Sequence, residues 1–104
     1  MRTYRIEYSL RAREDLTNLF NKIFYTYNAP RTAYKYIVNL LKSIECLHTF
    51  PKSFAYVTSP ILSLQYGGFV RSINYKSEVI LYTVYEEYNM VWIHRVAPAA
   101  TLAN

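Results

Sequence analysis

The sequence is poor in cysteine, with Cys46 as the only thiol among 104 residues. One thiol cannot form an intrachain disulfide, which excludes a small secreted domain held together by disulfides. Cys46, His48 and His94 are also too few soft ligands, at no recognised spacing, to predict a zinc-type site. We therefore expect no metal and no cofactor, and we assign no chemistry to Cys46 or His48.

Long apolar runs are missing as well. No stretch approaches the ~20 apolar residues of a membrane-spanning helix, and the start, Met1-Arg2-Thr3-Tyr4, lacks the apolar core of a signal peptide. Hydrophobic residues nevertheless make up 52% of the chain and charged residues only 18%, which argues against disorder. The length fits one domain over residues 1–104, and we expect a soluble cytoplasmic protein without a membrane partner.

Acidic residues are absent from Leu16 to Ile44. The chain carries 12 basic against 7 acidic residues, a net charge of +5, together with 12 tyrosines. Such a surface suits a nucleic acid or an acidic partner. A solvated helix face, with tyrosines in a small core, explains the composition equally well. The basic residues in the acid-free stretch, which we consider candidates for target or nucleic-acid binding, are Lys22, Arg31, Lys35 and Lys42.

Two consecutive helices are predicted in the first half of the chain. Ser9 is a suitable N-cap, and apolar residues then recur at spacings of three and four from Leu10 to Tyr27. Asn28-Ala29-Pro30 interrupts this pattern. Because proline fits the first position of a helix, we predict the second helix from Pro30 to about Leu47.

Strands are predicted on both sides of this helical hairpin. One covers residues 3–8, and three more cover residues 69–75, 79–85 and 90–96, with gaps too short for a crossover helix. Residues 51–68 are predicted to form a connecting loop, and the tail after Pro98 has almost no features. We therefore predict an α+β fold: an N-terminal strand, a helical hairpin and a three-stranded antiparallel meander. The helices pack on one sheet face and leave the other without a helix.

Six short motifs follow one another along the chain in an order that resembles that of one known protein family. They are Arg13-x-Asp15-Leu16, Pro30-x-Thr32-Ala33, Phe50-Pro51, Gly68-Phe69-Val70-Arg71, Val79-Ile80-Leu81-Tyr82 and Val91-Trp92-Ile93-His94-Arg95-Val96. In this order, and in the eleven-residue step from Arg71 to Tyr82, the chain resembles the RelE/ParE superfamily of toxins from type II bacterial toxin–antitoxin modules. The resemblance implies the α+β fold, growth inhibition as in plasmid stabilisation systems, and a cognate antitoxin that silences the toxin.

The resemblance implies one of two targets. RelE-like members cut messenger RNA on the ribosome, whereas ParE-like members poison DNA gyrase without a catalytic centre. Cleavage of RNA needs a base, an acid and positive charge. Here Val79 stands where the nucleases carry an arginine, and the tail from Val96 lacks their basic residues. We therefore slightly favour gyrase poisoning. A messenger RNA interferase, a decayed non-toxic member and a plain nucleic-acid-binding module stay open, as do enzyme activity and a homodimer.

Arg71 is the first candidate site residue. On an open sheet face, its planar guanidinium would bind a phosphate or an acidic target surface. The other interpretation is an exposed strand residue paired with Glu78 or Glu86. Tyr75 shares a strand side with Arg71 and would stack a base or a partner side chain, or belong to the core.

His94 and Arg95 complete the catalytic candidates of the ribonuclease alternative, together with Arg71. Neighbouring strand residues point to opposite faces, so His94 and Arg95 can line one pocket only if a bulge reorients one of them. The ordinary pKa of histidine suits a general base, although a partly buried histidine hydrogen-bonded to the backbone is the commoner role. Trp92 is a packing residue or an antitoxin contact, and Tyr82 belongs to the core or supports the site.

Overall fold

The computed structural model describes residues 2–102. Within this range, four strands and four helices follow one another, with single 3₁₀ turns after the second helix and before the last strand. In chain order the elements are β1 (Arg5–Tyr8), α1 (Leu10–Tyr27), α2 (Pro30–Glu45), α3 (Pro60–Tyr66), β2 (Arg71–Tyr75), β3 (Glu78–Tyr85), β4 (Met90–Pro98) and α4 (Ala99–Leu102).

The predicted helical hairpin is confirmed, and local capping explains where α1 begins and ends. The hydroxyl of Ser9 accepts a hydrogen bond from the backbone N–H of Ala12 at 2.9 Å, which satisfies one of the free donors of the first turn. Asn28 ends α1 in the left-handed region, with φ of 47°. Pro30 then opens α2. The second helix ends at Glu45, earlier than predicted, and continues as a 3₁₀ turn over Cys46–His48.

The four strands form one sheet in the order β1-β4-β3-β2. The meander of β2, β3 and β4 is antiparallel, whereas β1 joins the edge of β4 in parallel. A parallel neighbour needs a long connection between the two strands, and the helical hairpin lies within it. The predicted α+β class is confirmed.

The helical hairpin packs on one face of the sheet, and most of the core lies between them. The buried residues of this layer come from α1, α2, the 3₁₀ turn after α2 and the inward positions of the strands, with Tyr4 just before β1. They are Tyr4, Ala12, Leu19, Leu40, Ile44, Leu47, Ile73, Ile80, Tyr82, Val91, Ile93 and Val96.

The opposite sheet face is not bare, so the prediction that no helix covers it is wrong. The segment predicted as a loop contains α3, which begins where the Ser59 hydroxyl accepts from the N–H of Leu62 at 3.4 Å. Leu62 is buried in a second core cluster with Leu81 on this face, and Leu102 of the short tail helix α4 joins them. The predicted featureless tail is therefore helical as far as Leu102, and residues 103–104 lie outside the described part. Within residues 2–102, no helix is long and apolar enough to cross a membrane.

Candidate functional site

Arg71 is the first residue of β2 and lies on the helix side of the sheet. Side chains alternate along a strand, so Arg71 shares its side with Ile73, which is buried in the helix-side core. Its partner across the ladder is Tyr82, which belongs to the same core. The expectation that Arg71 lies on an open sheet face is therefore wrong.

The Arg71 guanidinium is held by the chain segment that follows α2 and its 3₁₀ turn. Its Nη1 donates to the carbonyl of Phe54 at 2.7 Å and to that of Lys52 at 3.3 Å. The guanidinium carbon lies 4.0 Å from the centre of the Tyr56 ring, a cation–π distance. No acidic residue within the described chain forms an ion pair with it, so the proposed pairing with Glu78 or Glu86 is wrong.

A pocket of about 320 Å³ opens beside this guanidinium. Tyr56 and Phe69 line it, both well exposed, with ring centres 6.2 Å apart and edge to face. Lys52 and Glu86 form an ion pair on its rim. Nε and Nη2 of Arg71 make no hydrogen bond to a described residue, so they stay available for a phosphate or a carboxylate, and the rings offer stacking surface. We call the pocket and Arg71 the Arg71 site.

Tyr82 supports the loop that holds Arg71. It is completely buried, and its hydroxyl donates to the carbonyl of Pro51 at 2.7 Å. Burial raises the pKa of Tyr82 to about 12, although the nearby Arg71 charge opposes part of that rise. The phenol therefore stays protonated and keeps donating to the loop at any physiological pH.

Tyr75 lies at the other end of β2, about 13 Å along the strand from Arg71. Its ring meets Tyr36 of α2 edge to face, with centres 5.6 Å apart. This half-buried packing against the helix layer favours the core interpretation of Tyr75.

A bulge in β4 decides where His94 and Arg95 lie. Tyr82 pairs with Ile93 and Leu81 with Arg95, so His94 has no partner in the ladder. Such an extra residue reorients the side chains around it. The His94 ring lies 4.9 Å from the ring of Tyr66 in α3, whereas the Arg95 guanidinium is hydrogen-bonded to Asp15 of α1. The two neighbouring side chains therefore contact different helices.

His94 is hydrogen-bonded within this second layer of the fold. Its Nε2 lies 2.7 Å from the hydroxyl of Thr83, which is itself buried. Burial lowers the pKa of His94, so the ring is neutral at neutral pH. The partial burial of His94 is as the sequence allowed, but its ring is hydrogen-bonded to the Thr83 side chain rather than to the backbone.

Arg95 joins β4 to α1. Its Nε and Nη2 donate to the Asp15 carboxylate at 2.8 and 3.1 Å, and the side chains are only 12% and 8% exposed. Oδ2 of Asp15 also accepts from the N–H of Val96 at 3.0 Å. The hydrogen bonds to Asp15 are the main cause of the raised pKa of Arg95, and they keep the guanidinium engaged inside the fold.

The three predicted catalytic residues are therefore not brought together. Arg71 lies with the loop on the helix side, His94 faces α3 on the opposite side, and Arg95 is paired with α1. No group of three metal-ligating side chains occurs within residues 2–102. The catalytic role of this set stays a prediction that the geometry does not support.

The predicted basic residues of the helical hairpin are all exposed. Arg31, Lys35 and Lys42 lie on one side of α2, because spacings of four and seven return to the same helix face. Among the described residues none of them, nor Lys22 on α1, forms an ion pair. Three exposed tyrosines lie near the hairpin tip: Tyr25, Tyr27 and Tyr34.

Trp92 is half-buried in the middle of β4, between Glu7 of β1 and Thr83 of β3. Partial burial fits a packing residue and leaves part of the ring accessible to a partner. Sequence reasoning missed Lys52 and Tyr56 as neighbours of Arg71. Tyr56 approaches Arg71 because it forms an isolated bridge beside β2, and no periodicity indicates such a bridge.

Comparison with known proteins gives no family model that matches and no curated protein that matches. Among solved structures, a chain of the chromosomal ParDE toxin–antitoxin system from P. aeruginosa superposes with a TM-score of 0.74 at 14% identity, covering 94% of this chain and 98% of that one. A chain of the RelBE2 toxin–antitoxin complex from Mycobacterium tuberculosis superposes with a TM-score of 0.58 at 19% identity, covering 92% of this chain and 98% of that one.

The chain has the RelE/ParE-like fold. Both superpositions extend over nearly the whole length of either partner, so the fold is the same throughout rather than at one motif. In this RelE/ParE-like fold, the Arg71 site occupies one end of the helix-side face, and the Asp15–Arg95 pair fixes α1 to the far end of β4.

Proposed function

We propose that the chain is the toxin of a type II toxin–antitoxin module, which inhibits growth in the cytoplasm until a cognate antitoxin neutralises it. The observation that carries the proposal is the superposition over 94% of the chain on a component of the ParDE toxin–antitoxin system. The motif order of the sequence supports it independently, since those motifs span both helices and the meander.

The antitoxin is the partner that this proposal requires. Both structural neighbours come from toxin–antitoxin systems. An acidic segment would complement the net charge of +5, and the acid-free stretch from Leu16 to Ile44 offers it exposed cations that form no ion pair among the described residues. Trp92, half-exposed on β4, is a second candidate contact. Co-expression with the neighbouring short open reading frame, followed by co-purification, tests this partner.

DNA gyrase is the target that we favour over the ribosome. The higher TM-score, 0.74 against 0.58, belongs to the ParDE neighbour. The separation of Arg71, His94 and Arg95 also argues against a composite nuclease centre, which would need them at one scissile phosphate. In this function the Arg71 site binds an acidic or phosphate-bearing surface of the gyrase–DNA complex.

A supercoiling assay with purified protein tests the gyrase target. We expect inhibition of gyrase or accumulation of cleaved DNA at micromolar protein, and loss of the effect in Arg71→Ala. The matched control is Arg13→Ala, an exposed arginine of α1 away from the Arg71 site. Unimpaired supercoiling at micromolar wild-type protein would contradict the gyrase proposal, while leaving the ribosome as a target.

Ribosome-dependent cleavage of messenger RNA is the second candidate. Its support is the RelBE2 neighbour and the aromatic rings beside Arg71, which are suited to stacking a base. Mapping transcript ends after induction tests it. Cleavage that Arg71→Ala and His94→Ala both abolish would establish the nuclease, whereas intact transcripts in growth-arrested cells would exclude it.

A further inference from the structure

Glu78 is a buried acid that lies outside the Arg71 site. It is the first residue of β3 and is only 5% exposed. Its Oε1 accepts from the hydroxyls of Tyr36 at 3.4 Å and Ser77 at 3.3 Å, both long for O–H···O bonds. Its Oε2 makes no hydrogen bond to a described residue, and no described cation lies within ion-pair distance. A buried carboxylate normally has such a partner.

Asp15 shows how the same fold treats its other buried acid. That carboxylate receives three hydrogen bonds, two from Arg95 and one from the N–H of Val96. Glu78 has neither a guanidinium nor a backbone donor. The Asp15 carboxylate is therefore paired with a cation inside the chain, whereas the Glu78 carboxylate has only two long hydrogen bonds from hydroxyl groups.

Glu78 lies where two adjoining pockets meet. The larger, of about 390 Å³, opens between α1, α2 and the turn that joins β2 to β3. The smaller, of about 200 Å³, shares Glu78, Leu19 and Lys22 with it. The walls of the larger pocket include Ile23, Tyr27 and Tyr36. Burial, more than the neighbouring Glu78 charge, raises the pKa of Tyr36 to about 12, so its hydroxyl remains a donor.

The lining matches one kind of ligand group. A carboxylate at the base attracts a guanidinium or an ammonium. The ring of Tyr27 in the wall can add cation–π attraction, whereas the Tyr36 ring already faces the Lys76 ammonium at 5.1 Å. Aliphatic walls cover the methylene stem of a long side chain. We propose that this pocket binds the side chain of one arginine or lysine that a partner protein inserts between the two helices.

The positive charges around the pocket determine which residues can flank the inserted side chain in the partner. Lys22 lines the pocket, and the Lys76 ammonium lies 5.1 Å from the ring centre of the lining residue Tyr36. These cations repel a free polyamine, which carries several positive charges, but attract acidic residues. The partner segment therefore has a single basic residue flanked by acids. The pocket has this chemistry whether or not the chain is a toxin.

The test measures peptide binding to the full-length, ¹⁵N-labelled protein by NMR. The probe is the pentapeptide Asp-Leu-Arg-Leu-Glu with blocked ends, compared with the same peptide carrying glutamine in place of arginine, and with spermidine. We expect saturable shifts of the Ser77 and Glu78 amides with the arginine peptide, and binding at least about tenfold weaker with the other two.

The variant Glu78→Gln keeps the size of the side chain and removes its charge. Glu78→Gln should lower the affinity for the arginine peptide at least about tenfold. Glu14→Gln, at an exposed acid of α1, should leave that affinity unchanged. If Glu78→Gln does not fold, Thr26→Trp narrows the pocket mouth without touching the carboxylate and should also block binding. Equal affinity for the arginine and glutamine peptides, tighter binding of spermidine, or unchanged affinity in the folded variant would overturn the proposal.

Discussion

Breaking the buried pair of Asp15 and Arg95 should lower the free energy of unfolding by an amount that follows from the contacts of the pair. In Asp15→Ala, the guanidinium of Arg95 loses both hydrogen bonds at 2.8 and 3.1 Å, and the N–H of Val96 loses its acceptor at 3.0 Å. Because the side chains of Arg95 and Asp15 are only 12% and 8% exposed, water replaces few of the lost hydrogen bonds. An uncompensated charge of this kind costs about 3–5 kcal/mol.

A loss of this size is a large share of the stability of a small domain, which is about 5–15 kcal/mol in all. Urea unfolding followed by circular dichroism measures it as a lower midpoint at an unchanged slope. The control is Arg11→Ala. Arg11 lies 3.7 Å from Asp15 but is 63% exposed, so its removal should cost less than about 1 kcal/mol.

A double variant separates the charge effect from simple loss of packing. Asp15→Leu combined with Arg95→Met removes both charges and leaves only the Val96 N–H without its acceptor. It should therefore be more stable than Asp15→Ala alone. If Asp15→Ala costs under about 1 kcal/mol, or if the double variant is the least stable of all, the pair does not hold α1 to β4 as described.

Two further predictions concern the sheet face covered by α3. Leu81→Ala should lower the free energy of unfolding by about 2–5 kcal/mol, because Leu81 is completely buried in the second core cluster. In the same urea experiment Leu64→Ala, at a residue 88% exposed, should stay within about 0.5 kcal/mol of the wild type. Equal effects of the two substitutions would show that α3 does not cover this face. Burial lowers the pKa of His94 below its ordinary value of 6.5. As the pH falls through 6.5, the unfolded chain therefore takes up a proton at His94 before the folded chain does. The free energy of unfolding falls as a result. His94→Gln should therefore lose less stability than the wild type between pH 7.5 and pH 5.5, and identical losses would contradict a buried, neutral ring.

Much of the fold follows from local patterns in the sequence. The bounds of α1 are predictable because its cap, Ser9, and its stop, Asn28-Ala29-Pro30, are both local signals. The helix α3 was missed, although Ser59 and Pro60 are the same kind of start signal. A helix from Pro60 to Tyr66 is too short to show an apolar periodicity, and its burial depends on Leu81 and Leu102, which are distant in sequence.

The site was less predictable than the fold. The motif around Arg71 singles out a residue that lines a pocket in the structure, and its role there stays a prediction. The side of the sheet on which it lies depends on strand register, and the strand pattern there does not separate the faces. The bulge at His94 shifts β4 by one residue, and no residue type in Ile93-His94-Arg95 indicates it. The apposition of Arg71 with Tyr56 and Phe54 arises from a loop contact across the sheet edge, which composition does not encode.

Growth after induction tests the central claim most directly. Expression of the full-length chain from a tightly repressed promoter, without its antitoxin, should stop the increase in cell density and viable count. Co-expression of the neighbouring antitoxin gene should restore both. Cells that grow like the empty-vector control while they accumulate soluble, folded protein would contradict a toxin function.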